Sequence, residues 1–375
     1  MRNNAKSSHP LEFRDPVCGM QVASDSPHRI SYENQEYRFC GAHCLKKFQE
    51  NPKRYLTRAR IQPQINRVAV VGMGQVGSTF AYSLLLSALA EEIVLINRTR
   101  EKAEGEAMDL NHSVPFSHPT RIWAGDYEDC AGADITVITA GAAQKPGETR
   151  LDLVKKNGAI FKKLVPQVVQ HNPEGILIIT TNPVDVLTCV ARKLSGLPSN
   201  RVIGSGTILD SARFRYSIGH HYGIDPQSIN AYIIGEHGDS EVPVWSLATV
   251  AGMALKTFCA QQKCTYDQAV MDDIFRQTRD AACHMIDKKG ATYYAIATGL
   301  VHIVKAILRD QNSVYSVSSL IEDYYDISDV CLSLPAVINQ QGIAHVLRLE
   351  LAHNEIEALR RSAAVLKGHL SQLEL

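Results

Sequence analysis

The sequence predicts an α/β protein with a doubly wound parallel sheet, an α+β region after it and a small ββα-like module before it. The first observation is that short apolar, β-branched runs alternate with helical patterns between residues 67 and 180, which is typical of parallel strands covered by helices. The second is that long helical stretches mix with segments of alternating polarity beyond about residue 210. The third is a polar segment around Pro63, which separates a cysteine-containing start from the rest.

The parallel sheet is expected from short apolar runs of strand length. These runs lie at residues 67–71, 92–96, 135–139 and 175–180. Helices between them are predicted from the glycine-rich turn after residue 71 to about residue 90, and at 100–110 and 151–170. In the α+β region we predict helices at 211–221, 265–287, 291–309 and 354–372, with alternating segments at 314–320 and 330–334. The expected organisation is a module at 11–58, a linker at 59–66, a first main domain at 67–209 and a second at 210–375.

The composition excludes several classes of protein. The chain has 375 residues, and 39 basic side chains balance 39 acidic ones, which argues against a general binder of nucleic acid or membrane surfaces. Residues 1–66 alone are basic, with 11 basic and 6 acidic side chains. No stretch approaches the roughly 20 apolar residues of a membrane-spanning helix, and the first residues lack the apolar core of a secretory signal. Nine cysteines, an odd number, favour a reducing cytoplasm.

A glycine-rich turn follows the first strand of the main domain. Gly72, Gly74 and Gly77 form a G-x-G-x-x-G pattern between a predicted strand and a predicted helix. In this context the first glycine permits the tight bend, the second lets the backbone approach a pyrophosphate, and the third lets helix and strand pack closely. The helix N-terminus then offers free N–H groups to phosphate. The pattern predicts a Rossmann domain that binds a dinucleotide.

The residue at the end of the second strand bears on which dinucleotide binds. NAD-binding domains of this kind carry an acidic residue there, which holds the adenosine ribose. This chain has Asn97, followed by Arg98 and Arg100. An amide can still bond a ribose hydroxyl but does not repel a 2′-phosphate, with which an arginine could pair. NAD is the expected cofactor, and relaxed discrimination toward NADP is the alternative.

A histidine between glycines is the candidate acid–base group. His237 lies in the segment 235–239, and histidine exchanges protons near neutral pH. Asp210 and Arg213 lie upstream on one predicted helix. A carboxylate such as Asp210 could bond the imidazole, fix its tautomer and stabilise its protonated form. Each residue alone also fits a surface or capping role, so the interpretation depends on their occurrence together with a dinucleotide-binding domain.

Residues 67–375 resemble the bacterial L-lactate dehydrogenases of the lactate/malate dehydrogenase superfamily. The motifs that carry this resemblance span nearly the whole main unit. They are GMGQVG at 72–77, EKAEGEAMDLNH at 101–112, TAGAAQKPGETR at 139–150, TNPVD at 181–185, GSGTILDSARFR at 204–215, GEHGDSEVPVW at 235–245 and KKGATYYAIA at 288–297.

The resemblance implies a role for each catalytic candidate. His237 donates a proton to the pyruvate carbonyl as hydride arrives from the nicotinamide, and Asp210 pairs with His237. Arg213 holds the substrate carboxylate, because its planar guanidinium matches the two carboxylate oxygens better than the ammonium of lysine would. Arg150 polarises the substrate carbonyl. It follows a polar segment suited to a closing lid, and closure would expel water and so strengthen the electric field of Arg150 at the carbonyl oxygen. Substrate contacts are further implied for Gln144, Asn182 and Thr292. Cofactor contacts are implied for Gly72, Gly74, Val76, Gly77, Asn97, Lys102, Tyr127, Gly141, Ala142 and Asn182.

The substrate is expected to be decided mainly at Gln144. Malate dehydrogenases of the resembling family carry arginine there, which pairs with the second carboxylate of oxaloacetate. A neutral glutamine would leave that carboxylate without a counter-charge, at a cost on the order of several kcal/mol. The sequence therefore favours pyruvate and lactate. Malate and a larger 2-oxo acid are alternatives, and so is a metal or redox sensor that uses the fold as a scaffold.

The resemblance also implies assembly and regulation. The family implies a cytoplasmic homotetramer that acts in glycolysis and fermentation on a small-molecule substrate. Allosteric bacterial members bind fructose 1,6-bisphosphate through an arginine and a histidine. Arg215 is present here, but Asn230 stands at the histidine position and brings no positive charge. We therefore expect weak or absent activation by that sugar bisphosphate.

The N-terminal segment 15–56 resembles a YHS-type domain, a small metal-associated module. The resemblance rests on the DPVCGM start, a C-x3-C pair and a later phenylalanine and Asn-Pro. A helix starting near residue 41 would place Cys40 and Cys44 one turn apart, and Cys18 could complete a three-thiolate site. Thiolates suit zinc, Cu(I) or other thiophilic ions. His43, His28 or water are candidate fourth ligands, and three reduced, mostly buried cysteines in a compact ββα unit are the alternative.

Overall fold

The structure is a computed structural model that describes residues 13–18, 20–23, 25–32, 35–50, 52, 65–143 and 149–373. The chain divides into two compact units, Met1–Ile65 and Asn66–Leu375. The expected linker at 59–66 lies mostly outside the described residues. Among the described residues, no helix is both long and apolar enough to cross a membrane.

In the part of the N-terminal unit that the structure describes, two short antiparallel hairpins precede a helix. Phe39 and Phe48 are fully buried, and Cys44 packs with them. This cluster of three buried side chains is small, as expected for a unit of this length. The hairpins pair β1 (Phe13–Arg14) with β2 (Gln21–Val22) and β3 (Arg29–Tyr32) with β4 (Gln35–Arg38), and the helix is α1 (Ala42–Glu50).

The main unit is organised around a nine-stranded sheet of order β18-β17-β16-β10-β9-β8-β5-β6-β7. Six neighbouring strands, in the spatial order β10-β9-β8-β5-β6-β7, run parallel to one another. The strand order reverses between β5 and β8, because strands are added first on one side of β5 and then on the other. This is the doubly wound order in which a ligand binds at the carboxyl ends of the strands beside the reversal. The parallel strands are β5 (Arg67–Val71), β6 (Glu92–Ile96), β7 (Arg121–Gly125), β8 (Ile135–Ile138), β9 (Ile176–Ile179) and β10 (Val202–Gly204).

Helices cover both faces of the sheet, which confirms the α/β prediction. One face is packed by α2 (Gln75–Leu86), α3 (Arg100–Ser113) and α9 (Tyr294–Leu308). The other is packed by α4 (Arg150–His171) and α5 (Val184–Ser195). The buried strands are apolar on both sides because both sides face helices.

The part of the chain after β10 does not place all of its strands in a separate sheet. Its strands β16 (Ser313–Ile321), β17 (Val330–Asn339) and β18 (Gly342–Val346) extend the parallel sheet in antiparallel register beyond β10. The alternating polarity of residues 314–320 and 330–334 thus continues a sheet that begins in the first main domain.

The rest of this part of the chain consists of small strand pairs and helices. The short strands are β11 (Ile229–Asn230), β12 (Ile233–Ile234), β13 (Val242–Pro243), β14 (Thr249–Val250) and β15 (Met253–Ala254). The helices are α6 (Ile208–Tyr222), α7 (Leu255–Gln262), α8 (Gln268–Lys289) and α10 (His353–Leu370). Short 3-10 turns occur at Val114–Phe116, Tyr127–Cys130, Ser199–Arg201, Pro226–Ser228 and Trp245–Leu247.

Candidate active site

A cleft of about 750 Å³ lies at the carboxyl ends of β5, β6 and β8, beside the reversal in strand order. The structure places most of the expected cofactor contacts in its wall. These are Gly72, Gly74, Asn97, Lys102, Tyr127, Gly141 and Ala142. The wall also contains Arg98, considered from the sequence as a partner of a 2′-phosphate, and residues that sequence reasoning did not select, among them Met73, Thr99, Thr139, Lys163 and Gln167.

The three glycines of the turn have different surroundings. A Cβ on Gly77 would lie 1.9 Å from the Gly72 carbonyl oxygen, and Gly72 itself has φ +107° against the Ala140 backbone. A Cβ on Gly74 would meet nothing within 4 Å, and Gly74 faces the cleft. The turn therefore leaves open space where a pyrophosphate approaches the start of α2, so the residues fit a dinucleotide. Val76 packs against the core of the sheet face.

Asn97 is held by the turn that it closes. Its Oδ1 accepts a hydrogen bond from the Met73 amide at 3.1 Å, and its Nδ2 donates to the Thr99 carbonyl at 2.9 Å. Arg98 lines the cleft. Arg100 instead forms ion pairs with Glu104 at 3.0 Å and Asp126 at 2.6 Å, so it is occupied elsewhere. Of the two arginines considered from the sequence, the structure places Arg98 at the cofactor cleft.

The catalytic candidates meet at one buried carboxylate. Asp210 lies in the first turn of α6, and its Oδ2 is 2.5 Å from Nδ1 of His237. Its Oδ1 accepts a hydrogen bond from Nη1 of Arg213 at 2.9 Å, one turn further along the helix. The Asp210 side chain is 4% exposed, against 26% for His237. One carboxylate thus orients both the imidazole and the guanidinium.

The backbone of His237 is fixed by a second buried carboxylate. Oδ2 of Asp185, in the first turn of α5, accepts a hydrogen bond from the His237 amide at 2.7 Å, while Oδ1 accepts one from the Ser333 hydroxyl at 3.2 Å. Gly235, at φ +87°, exchanges backbone hydrogen bonds with Ser333 on β17. The antiparallel extension of the sheet and α5 therefore place the histidine loop together.

Carboxylates around His237 decide its protonation. Burial acts to lower the pKa of the imidazole, but Asp210, Asp185 and Glu241 outweigh it and raise the pKa to about 9. Burial also acts to raise the pKa of Asp210, yet the charges of His237 and Arg213 hold it below its usual range. Burial, with the Asp210 charge, raises the pKa of Glu241 to about 8. An imidazole in this setting is protonated at neutral pH and can donate a proton.

The remaining expected residues are less closely defined. Gln144 and the Arg150 side chain lie outside the described part of the chain, although Arg150 begins α4 after a Thr149 cap. Asn182 is exposed, and its carbonyl accepts a hydrogen bond from Asn157 at 2.7 Å. Thr292 is half-buried, two residues before α9.

Sequence reasoning missed three polar residues that build the site. Asn157, a fully buried side chain in α4, bonds both the amide and the carbonyl of Ala142 and so ties the loop after β8 to the one after β9. Asp185 holds the His237 amide, and Glu241 adds negative charge beside His237 once the pH exceeds the raised pKa of Glu241, about 8. Asn157 shares the buried face of α4 with Val154 and Phe161, and Asp185 lies between two buried valines. A polar residue in such a position was the available signal, because buried polar groups require partners.

In the N-terminal unit, Cys18, Cys40 and Cys44 come together as expected. The Sγ atoms of Cys18 and Cys40 are 3.5 Å apart, and those of Cys40 and Cys44 are 3.8 Å apart. Cys18 and Cys40 are exposed and Cys44 is buried, so the alternative of three mostly buried cysteines does not describe this cluster. The nearby Asp15 carboxylate raises the pKa of the Cys40 thiol well above its ordinary range, and burial raises that of Cys44 to about 11.

Comparison with known families assigns three segments. Residues 66–204 match the lactate/malate dehydrogenase NAD binding domain, and residues 207–374 match the lactate/malate dehydrogenase alpha/beta C-terminal domain. Residues 13–59 match the YHS domain. The two dehydrogenase matches together cover most of the chain.

Individual relatives agree with these assignments. An L-lactate dehydrogenase of Priestia megaterium is 51% identical over 310 residues, covering 83% of this chain and 97% of that protein. One of Acetivibrio thermocellus is 50% identical over 311 residues, covering 83% and 98%. The crystal structure of a minor L-lactate dehydrogenase from Enterococcus mundtii has a TM-score of 0.81 at 37% identity, over 83% of this chain and 99% of that one. A lactate dehydrogenase from a Medee basin deep-sea metagenome library has a TM-score of 0.79 at 43% identity, over 82% and 98%.

The site predicts that Asp185 raises the pKa of His237 through its charge. In the free protein, NMR titration of the His237 ring should give a pKa of about 9. Asp185→Asn keeps an acceptor for the His237 amide but removes a nearby charge, and should lower that pKa by about one unit. Asp326→Asn, whose side chain is 84% exposed, is the matched control and should leave it unchanged. An unaltered His237 pKa in Asp185→Asn would show that Asp185 acts on the backbone alone.

Proposed function

The chain belongs to the lactate/malate dehydrogenase family, and on this premise we propose how its own residues carry out the reaction of an NAD-dependent L-lactate dehydrogenase. The reaction is the reversible transfer of a hydride between NADH and pyruvate, giving (S)-lactate. When bound, the nicotinamide supplies or accepts the hydride. The observation that carries the assignment of roles is the buried Asp210 carboxylate between His237 and Arg213.

His237 is the proton donor and acceptor in this proposal. Asp210 holds Nδ1 at 2.5 Å, so the proton that moves to the carbonyl oxygen of pyruvate is assigned to Nε2. As the carbonyl carbon receives the hydride, its oxygen gains that proton and becomes the hydroxyl of lactate. In the reverse direction neutral His237 takes the hydroxyl proton while the hydride leaves. Asp210 stabilises the imidazolium form that is present before each reduction.

Arg213 anchors the substrate by its carboxylate. Its Nη1 is already held by Asp210, so we assign the two parallel hydrogen bonds to the edge formed by Nε and Nη2. The guanidinium side chain is 13% exposed, which strengthens a charge-assisted contact relative to one in water. The same carboxylate therefore sets the angle between the proton donor and the substrate anchor.

Four further residues are assigned to the substrate from the sequence alone. Arg150 is proposed to polarise the carbonyl, and Gln144 to favour pyruvate over oxaloacetate because it brings no counter-charge for a second carboxylate. Asn182 and Thr292 are proposed to line the pocket. Malate dehydrogenation remains the second candidate reaction, and comparing kcat/KM for oxaloacetate with that for pyruvate separates the two.

NAD is the cofactor of this family, and we propose that this chain also accepts NADPH. The cleft has an amide at Asn97 where NAD-binding domains carry an acid, and Arg98 lies in the same wall. Asn97 accepts a hydrogen bond from the Met73 amide and donates one to the Thr99 carbonyl. Because its side chain is a neutral amide, it does not repel a 2′-phosphate. Arg98 would supply the pairing cation.

For the assembled protein we propose a homotetramer in the cytoplasm. Large apolar side chains stand exposed on α2, α3 and the turn after α3, which supports contact with further copies of the chain. These are Tyr82, Leu86, Met108 and Phe116. All nine cysteines lie in the described residues and are free thiols, which supports a reducing compartment.

For the N-terminal unit we propose that Cys18, Cys40 and Cys44 bind a thiophilic metal ion.

Replacement of His237 tests the enzymatic function. His237→Asn should lower kcat for pyruvate reduction by about 10²–10⁴-fold, because the reaction loses its general acid. NADH binding, followed by fluorescence, should be retained. His345→Asn, an exposed histidine on β18, is the matched control and should keep full activity. Wild-type turnover in His237→Asn would contradict the assignment, and an inactive wild type that binds NADH would support the scaffold alternative.

The cofactor proposal is tested by the ratio of kcat/KM with NADPH to that with NADH. We expect the two values to lie within about tenfold in the wild type, a difference below about 1.4 kcal/mol. Asn97→Asp should restore a strong preference for NADH, since a carboxylate repels the 2′-phosphate. Arg98→Gln should weaken NADPH use, whereas Arg100→Gln should not, because Arg100 is paired with Glu104 and Asp126. A wild-type preference for NADH well above tenfold would refute the proposal, and an unchanged ratio in Asn97→Asp would refute the role of Asn97.

A further inference from the structure

We propose that Asp15 is the fourth ligand of the N-terminal metal site, and that the site takes one divalent ion of the zinc class. This inference rests on the three-cysteine site proposed above and adds its missing donor. Asp15, Cys18, Cys40 and Cys44 each offer one ligand atom, and the four atoms lie within 4.8 Å of one another.

The spacing of the donors fits a tetrahedral ion. With Zn–S bonds of about 2.3 Å, two sulfurs at corners of a tetrahedron lie about 3.8 Å apart. The observed Sγ–Sγ distances are 3.5 Å for Cys18 and Cys40 and 3.8 Å for Cys40 and Cys44. A disulfide would need sulfurs about 2.05 Å apart. The thiols are therefore spaced as neighbouring ligands of one ion.

Asp15 is built into the site rather than placed near it by chance. It is 1% exposed. Its Oδ1 accepts hydrogen bonds from the amides of Val17 at 2.8 Å and Cys18 at 3.4 Å, and its Oδ2 accepts one from the Cys40 amide at 2.7 Å. The carboxylate thus joins the turn of Cys18 to the segment of Cys40. Oδ2 accepts one N–H where Oδ1 accepts two, and the carboxylate also bonds the Cys40 and Cys44 thiols, which points to Oδ2 as the ligand atom.

The two histidines considered from the sequence are poorer donors. His43 is an exposed residue of α1, directly before Cys44, and His28 is half-buried at the end of a turn before β3. Neither belongs to the cluster of four donors. Since Asp15 and Cys44 are buried while Cys18 and Cys40 are exposed, an ion would enter from the side of the two exposed thiols.

The donor set selects the class of ion. A carboxylate oxygen beside three thiolates suits borderline Zn²⁺, whereas Cu(I) prefers sulfur alone and would leave Asp15 aside. Binding replaces three thiol protons, which pass to solvent, and no electron is transferred. The four anionic donors exceed the charge of the ion by two, and the excess of basic residues in positions 1–66 offsets that surplus.

The test uses the full-length chain, loaded with zinc chloride under anaerobic conditions and freed of excess metal. Elemental analysis should give about one zinc per chain, and X-ray absorption at the zinc edge should show three sulfurs and one light atom. Asp15→Asn should weaken zinc affinity at least about tenfold in competition with a chromophoric chelator. Asp25→Asn, an exposed aspartate of the same unit, and Cys283→Ser, an exposed cysteine elsewhere, are the matched controls.

The outcomes separate this inference from the proposals on which it rests. Zinc binding that is lost in Cys40→Ser but unchanged in Asp15→Asn would overturn the role of Asp15 and leave the three-cysteine site standing. Zinc retained in Cys40→Ser, or absent from the wild type, would overturn both. Loss of zinc from His43→Ala or His28→Ala would assign the light atom to histidine instead. Pyruvate reduction, measured on the same samples, reports separately on the dehydrogenase.

Discussion

The site of the main unit depends on one buried charge, the carboxylate of Asp210. Removing a carboxylate from water is costly unless partners replace the lost solvation, and here His237 and Arg213 do so at 2.5 and 2.9 Å. The arrangement therefore favours an imidazolium and an ordered guanidinium together. The proposed proton donor and the proposed carboxylate anchor are thereby held at fixed angles before any substrate arrives, which is how a site lowers the cost of orienting its reactants.

The architecture supplies this arrangement from several distant segments. The last parallel strand, β10, leads into α6, which carries Asp210 and Arg213 on successive turns. The antiparallel strands that continue the sheet bring Ser333 against the loop of His237, and α5 brings Asp185 to its amide. The cofactor cleft lies at the carboxyl ends of the parallel strands of the same sheet. A single sheet thus positions both the dinucleotide cleft and the proposed acid–base group.

Much of the fold and of the cofactor cleft could be predicted from the sequence, because the residues that form them are close together along the chain. The glycines at 72, 74 and 77 and the apolar runs around them indicated the cleft, and the structure shows the predicted helices at nearly their expected bounds. Helices α5 and α7 were not predicted. Strands β7 and β10 were missed, since the first mixes polar and apolar residues and the second has three residues. Asp15 and Asp185 were not recognised as contacts because their partners, Cys40 and His237, lie 25 and 52 positions away, and spacing along the chain carries no information on such pairs.

The most direct test of this account is the pH dependence of kcat/KM for pyruvate reduction in the wild type and in Asp210→Asn. In the proposed mechanism reduction needs protonated His237, so the wild-type value should be level at neutral pH and fall as pH rises through about 9. Without the Asp210 charge the imidazole loses its proton earlier, and the fall should begin about one to three units lower. An unchanged position of that fall in Asp210→Asn would contradict the claim that this carboxylate governs the site.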